Sequence, residues 1–149
     1  MADLNLPEGA SAFLRANGWG GAEIAPLAGD ASFRRYFRVR DGDRRAVLMD
    51  APAPNENCAA FVAIDTYLAA RGISVPQVFA SAPDEGLALL EDLGDSMFVR
   101  AIEGGADEAE LYRAATDVLA HLHAEPMADA VAGHAVGPVR LELDLCAED

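Results

Sequence analysis

Residues 27–50, Leu-Ala-Gly-Asp-Ala-Ser-Phe-Arg-Arg-Tyr-Phe-Arg-Val-Arg-Asp-Gly-Asp-Arg-Arg-Ala-Val-Leu-Met-Asp, leave the chain few ways to fold. Successive strand side chains point to opposite faces, so Phe33, Phe37 and Val39 share one face and Arg34, Tyr36, Arg38 and Arg40 the other. Asp41 and Gly42 supply the backbone freedom of a tight reversal. Ala46, Val47, Leu48 and Met49 then return as a strand covered on both sides. Ahead of this hairpin, Gly29, Asp30, Ala31 and Ser32 are small or turn-forming, which lets consecutive backbone N–H groups converge on an anion. Six of the eleven basic residues (Arg34, Arg35, Arg38, Arg40, Arg44 and Arg45) fall within the stretch, against a formal net charge of -14, and point to an anion held locally. The same residues also make an ordinary turn followed by a solvated arginine face.

At 149 residues and 52% hydrophobic content, the chain can bury the core of one ordinary domain. Twenty-five acidic groups oppose nucleic acid and anionic membranes as partners by long-range repulsion. The chain contains no lysine, which removes a Walker-type lysine, a Schiff-base lysine and the usual strand lysine of protein kinases. Cys58 and Cys146 lie far apart in apolar helical patterns and are expected as buried reduced thiols. No apolar run approaches the roughly 18 residues of a membrane span, and the N-terminus has no charged-then-apolar signal, so a cytoplasmic location is expected.

In chain order, residues 9–17 predict a short helix with Ala10, Phe13 and Leu14 on one side and Gly18 as its stop. A Gly-Trp-Gly-Gly turn leads to a strand over 23–27 and then to the hairpin. Pro52 and Pro54 break the sheet. Asn55 is the expected N-cap of a helix over 56–71, whose stripe is Phe61, Ile64 and Leu68 and whose end is Gly72. Strands over 77–80 and 87–90 follow, separated by a Pro-Asp-Glu-Gly turn. Beyond residue 94 the pattern is helical: 97–103, then 107–124 with Leu111, Ala115, Val118 and Leu122 in register, then 140–149 after a loop over 126–138. That last segment carries no cap, and the chain reads as the first part of something longer.

Other chemistry finds little footing. On a helix His121 and His123 point roughly 200° apart and cannot chelate together, and His134 stands alone. Asp41 and Asp43 read as a hairpin tip, since Arg44 and Arg45 spoil a calcium loop. Asp92-Leu93-Gly94 is similar to a metal-binding kinase tripeptide, but no His-x-Asp segment precedes it and it ends an apolar strand, so it reads as a hinge.

Four blocks in order, Gly-Asp-Ala-Ser-Phe-Arg-Arg-Tyr-Phe-Arg-Val, Ala-Val-Leu-Met-Asp-Ala-Pro, Val-Pro-Gln-Val-Phe-Ala and Gly-Leu-Ala-Leu-Leu-Glu-Asp-Leu-Gly-Asp, carry a resemblance. Over residues 13–145 the chain resembles the N-terminal part of the aminoglycoside phosphotransferase (choline/aminoglycoside kinase-like) family. Within it, the likeness is to the branch that phosphorylates the anomeric hydroxyl of N-acetylmuramate and N-acetylglucosamine in cell-wall recycling. The resemblance implies an α+β, protein-kinase-like fold: an N-lobe over 1–92 with a five-stranded antiparallel sheet and one helix, then a hinge and the first helices of a truncated helical C-lobe over 93–149.

It further implies ATP and Mg2+ as cofactors, with the catalytic and magnesium-binding residues in the absent C-lobe. Gly29, Asp30, Ala31, Ser32 and Phe33 would cover the ATP phosphates, Val47 would touch the adenine and Leu89 would sit behind it. The Leu90 carbonyl and the Asp92 N–H, either side of Glu91, would bind the base edge. Met49 stands where relatives carry a lysine, and Arg34 or Arg35 is expected to supply the missing charge through its guanidinium fork. The implied partners are ATP and an amino-sugar acceptor, with self-association through an exposed truncated surface. Two other readings stay open: a non-catalytic nucleotide- or anion-binding regulatory module, and an ordinary α+β interaction domain.

Overall fold

The computed structural model describes residues 5–27 and 32–124. Helix α1 (Ala10–Ala16) is followed by strands β1 (Glu23–Pro26), β2 (Arg35–Asp41) and β3 (Arg44–Asp50), helix α2 (Cys58–Ala69), strand β4 (Val78–Ala82), a 3-10 turn (Pro83–Glu85), strand β5 (Leu87–Glu91), and helices α3 (Phe98–Glu103) and α4 (Glu108–Ala124). The five strands form one antiparallel sheet in the order β1-β2-β3-β5-β4. The order of elements is the one that periodicity predicts, and the α+β arrangement is the kinase-like N-lobe that the resemblance implies. The expected elements of 126–138 and 140–149, with His134 and Cys146, lie outside the described residues.

Strand alternation divides the sheet into two faces. On one, Phe37, Val39, Ala46, Leu48, Leu87 and Leu89 pack with Ala10, Phe13 and Leu14 of α1 and with Trp19. The expected helix face is therefore the one buried. The Gly-Trp-Gly-Gly turn has a purpose that its glycines concealed: Trp19 N–H donates to Leu14 O at 2.8 Å and its ring enters the core. On the other face, Met49, Ala51, Ala88 and Leu90, with Tyr36 and Val47, pack against Cys58, Phe61 and Val62 of α2.

A register shift between Val78 and Ala80 lets β4 serve both faces. Two residues apart, they ought to share a face; the irregularity turns Val78 towards α2 and Ala80 towards α1. Gly86 closes the turn into β5 with φ +72, and a Cβ there would stand 2.6 Å from the Ala51 carbonyl. Glycine is required twice over: for the left-handed backbone and for the close approach that lets Ala51 N–H donate to Gly86 O at 2.8 Å.

Several local expectations are corrected. Asn57, not Asn55, caps α2, its side chain accepting from Ala60 N–H at 2.9 Å. The N-cap must sit one residue before the first helical position, and α2 begins later than Glu56. The stripe of Phe61, Ile64 and Leu68 does lie on one side of α2, where all three line a cavity of about 650 Å³, but of the three only Phe61 also packs on the sheet, with Cys58 and Val62. Phe33 precedes β2 and is 66% exposed, so it does not join Phe37 and Val39 in the core. Along α4, Leu111, Ala115 and Leu122 are half-buried and Val118 is exposed.

Candidate functional site

Arginines placed by strand alternation define the candidate site. They are neither a bare cation cluster nor a solvated face, because among the described residues four of the six meet carboxylates. Arg44 pairs with Asp41 at the hairpin tip and stacks on Trp19 at 4.3 Å. Arg35 meets Asp50, its register partner, at 2.7 Å, donates to Asn5 O at 3.0 Å and lies over the Phe37 ring, all on the α1 face. Arg34 and Arg38 belong to the α2 face, where the described geometry is more open.

Arg34 Nε donates to Glu56 Oε2 at 2.7 Å, with its guanidinium 5.6 Å from the Phe61 ring. The other oxygen of Glu56 accepts the Phe33 N–H at 3.3 Å. One carboxylate just ahead of α2 therefore gathers both a cation and a backbone donor just before β2. Burial works against the Arg34 charge, but side-chain hydrogen bonds to Tyr36 and Glu56 outweigh it and lift the pKa above the ordinary guanidinium value. The neighbouring Cys58 thiol is pushed up by burial, partly offset by Arg34, and donates to Leu87 O at 3.5 Å. It is a free, buried cysteine, as expected.

At the far end of the same face, Arg38 reaches from β2 across the sheet to the segment after β5. Two of its nitrogens donate to the two oxygens of Asp95, each at 3.0 Å, and Nη2 also donates to Asp92 Oδ1 at 3.1 Å. Asp92 Oδ1 accepts the Gly94 N–H at 2.9 Å as well. The Arg38 pKa is raised, first by the hydrogen bond to Asp95 and then by that to Asp92. Asp95 is correspondingly held below the ordinary carboxylate range by Arg38.

The adjoining residue, Glu91, is tied to the opposite edge. Its N–H donates to Gln77 O at 2.8 Å, while Gln77 N–H turns to the Glu91 carboxylate at 3.1 Å instead of closing the next ladder bond. Because backbone groups alternate in direction along a strand, the Leu90 carbonyl then faces β3, inside the sheet.

The sequence-predicted residues separate accordingly. Val47 and Leu90 are register partners on the α2 face, with Arg34 and Asp92 at either end of it. Leu89 is a correction: paired with Leu48, it is fully buried on the α1 face and cannot stand behind a ligand touching Val47. Met49 is fully buried among Cys58, Ala88 and Leu90, so it fills the core where a lysine would need a partner for its charge. Ser32 and Phe33 are exposed, whereas Gly29, Asp30 and Ala31 lie outside the described residues.

Glu56 and Asp95 are the residues that sequence reasoning missed, and Arg38 was read only as one of the anion-holding arginines. A signal existed: a charged residue between Phe37 and Val39 in mid-strand needs an acidic partner once covered, and Asp92 and Asp95 flank a turn glycine. Among the described residues no three metal-ligating side chains converge, and Glu56, Asp92 and Asp95 are each bound to arginine, so this part of the chain does not fit a magnesium site. His121 instead places Nε2 3.1 Å from Arg71 O at the end of α2. Among the described residues, no helix is long and apolar enough to cross a membrane.

Comparison with known proteins agrees with this architecture. The chain is 41% identical over 143 residues to the N-acetylmuramate/N-acetylglucosamine kinase of Caulobacter vibrioides, covering 78% of this chain and 39% of the relative. Enzymes of the same name from Pseudomonas aeruginosa and Pseudomonas putida are 40% and 37% identical, each over 96% of this chain and 42% and 43% of their own lengths. The chain thus spans about two-fifths of the length of these curated relatives. The family model described as "Phosphotransferase enzyme family" matches residues 23–145, that is, the whole sheet, the segment after β5 and helices α2, α3 and α4. With most of its length matched, the chain belongs to the phosphotransferase enzyme family.

Proposed function

We propose that this chain supplies the nucleotide-facing half of an ATP-dependent amino-sugar kinase, acting on a hydroxyl of an N-acetylmuramate or N-acetylglucosamine type of sugar in cell-wall recycling. The acceptor is inferred from the names of the relatives. One geometrical observation carries the nucleotide part. On the α2 face the Val47–Leu90 pair lies between a cation, Arg34, just ahead of β2 and a braced hinge at Glu91–Asp92. Apolar side chains between a positive end and an end of directed backbone groups suit a base and its phosphates. The carbonyl of Glu91, left out of the ladder to Gln77, would read the base edge in place of the Leu90 carbonyl; the Asp92 N–H belongs to the same peptide unit and points the opposite way.

Of the two arginines considered for the missing lysine, Arg34 is the one in position. Its guanidinium lies over Phe61 on the α2 face, and Glu56 holds both it and the Phe33 N–H, next in sequence to the proposed phosphate-covering residues Gly29, Asp30, Ala31 and Ser32. Arg35 is committed to Asp50 and Asn5 on the opposite face. Isothermal titration with ATP tests the assignment. Arg34→Ala should weaken binding by about tenfold or more, equivalent to about 1.4 kcal/mol, and Arg35→Ala should leave it within about twofold. Equal losses in both, or in neither, would sink it.

Phosphoryl transfer depends on positioning the nucleophile and the metal ions. The described residues do not fit a metal site, so the magnesium ligands and catalytic carboxylates are assigned to the length of the relatives that this chain does not span. The 149-residue chain, supplied with ATP, magnesium and N-acetylmuramate, should form no sugar phosphate. Detection of the product by mass spectrometry would overturn this division of labour.

A further inference from the structure

The hinge segment is held by an unusual device. A β-sheet ordinarily hands its chain to the next element through a loop whose backbone is free to swing. Here Arg38, in mid-strand on β2, crosses the α2 face of β3 to reach residues more than fifty positions later, with its side chain only 14% exposed. Its contacts are divided between two carboxylates three residues apart. Asp95 takes a two-pronged pair of hydrogen bonds, and Asp92 takes Nη2 with Nε in charge contact at 2.8 Å. A lysine could not do this, since a single ammonium has no fixed fork.

The two carboxylates do different things. Asp92 also accepts from Gly94 N–H, bending the chain through a glycine with φ +78. Asp95 O accepts from Met97 N–H at 2.9 Å, ahead of α3. The guanidinium therefore holds both the start of the bend and its exit. On the other side, the exchange between Glu91 and Gln77 fixes the last strand residue to the β4 edge. Residues 91–95 are gripped from β2 and from the β4 side at once.

We propose that Arg38 is a positioning residue that sets the hinge backbone for the base of a bound nucleotide, coupling β2 to the segment that reads the base. This rests on the nucleotide reading of the α2 face given above. Arg38 touches neither the reacting phosphates nor the acceptor; it acts through the peptide groups of Glu91 and Asp92.

The experiment compares wild type, Arg38→Met and Arg38→Lys in the 149-residue chain, with Asp95→Asn as an exposed variant that perturbs the fold least. Hydrogen exchange is read at residues 92–95, and binding is titrated with ATP and separately with inorganic tripolyphosphate, which has no base. Arg38→Met should raise hinge exchange and weaken ATP binding, each by about tenfold, and leave tripolyphosphate binding unchanged. Arg38→Lys and Asp95→Asn should fall between. A general loss of stability would instead lower both ligands together and raise exchange throughout the sheet, and that result would overturn the proposal. So would unchanged hinge exchange in Arg38→Met, or faster exchange with ATP affinity intact. If wild type binds tripolyphosphate but not ATP, the base-reading role falls. If it binds neither, the nucleotide reading itself fails, and the exchange data alone decide whether Arg38 braces the hinge.

Discussion

The two faces of the sheet are built to different rules. Against α1, the contacts are hydrocarbon almost throughout, and Leu48, Leu87, Leu89 and Val39 are completely buried. Its ion pairs among the described residues, Arg35 with Asp50 and Arg44 with Asp41, sit at the two ends of the β2–β3 hairpin. Against α2, the cluster is smaller, Val47 and Tyr36 are only half-covered, and arginine–carboxylate groups stand at both ends. The first face stabilises the fold by removing apolar area from water. The second holds its charged groups partly desolvated and fixed in direction, which costs stability and leaves them aimed at a ligand. The lesson is that a residue's face within a strand, more than its type, decides whether it supports the domain or equips it.

The contrast can be broken most directly at two adjacent positions of β3. Leu48→Ala on the α1 face should cost about 2–5 kcal/mol, the usual range for a fully buried leucine whose site cannot collapse. Val47→Ala should cost less than about 1.5 kcal/mol, since its side chain is already half-exposed. Urea denaturation of both variants measures the difference; equal losses would mean that the faces are not distinct. A smaller effect is expected at the α2 N-terminus, where Asn57→Ala should cost about 1 kcal/mol by the same measurement, whereas Asn55→Ala should be near neutral.

Asp65 sharpens the comparison through pH. Buried on α2, its carboxyl is pushed above the ordinary range by desolvation. A folded-state pKa above the unfolded one means that the native form binds the extra proton. The burden is thus absent below the ordinary carboxylate range and grows as pH rises towards the raised value. Asp65→Asn should therefore raise the melting temperature at neutral pH, with the gain vanishing in acid; a loss of stability at neutral pH would show that the carboxylate has a partner it needs. The smallest effect concerns Asp95, whose pKa is depressed by Arg38. Its ion pair should be intact above the ordinary carboxylate range and be lost only as pH falls through the lowered value, a titration that carbon-detected NMR of the Asp95 carboxyl would follow.

Much of the architecture was legible because periodicity is a local property. The Asp41-Gly42 reversal, the α1 stripe of Ala10, Phe13 and Leu14, the helical stretch after Asp107 and the short apolar strand ending at Glu91 all follow from neighbours within a few residues. The candidate site was legible only in outline. Val47, Leu90, Arg34 and Asp92 do come to one face. Leu89 was misplaced because alternation within β5 does not say which of its faces meets α2, and one step along a strand reverses the answer.

What the amino-acid order determined alone, then, is the set of elements and the polarity of each: which residues form strands, where the turns fall and which stripes must be buried. Tertiary structure alone decided which arginine meets which carboxylate, that β4 changes face at its irregularity, and that Trp19 belongs to the core. The physical reason is one of range. Propensity, turn geometry and side-chain alternation act between near neighbours, whereas the pairing of Arg38 with Asp92 spans 54 positions and exists only once β3 and β5 have set their register.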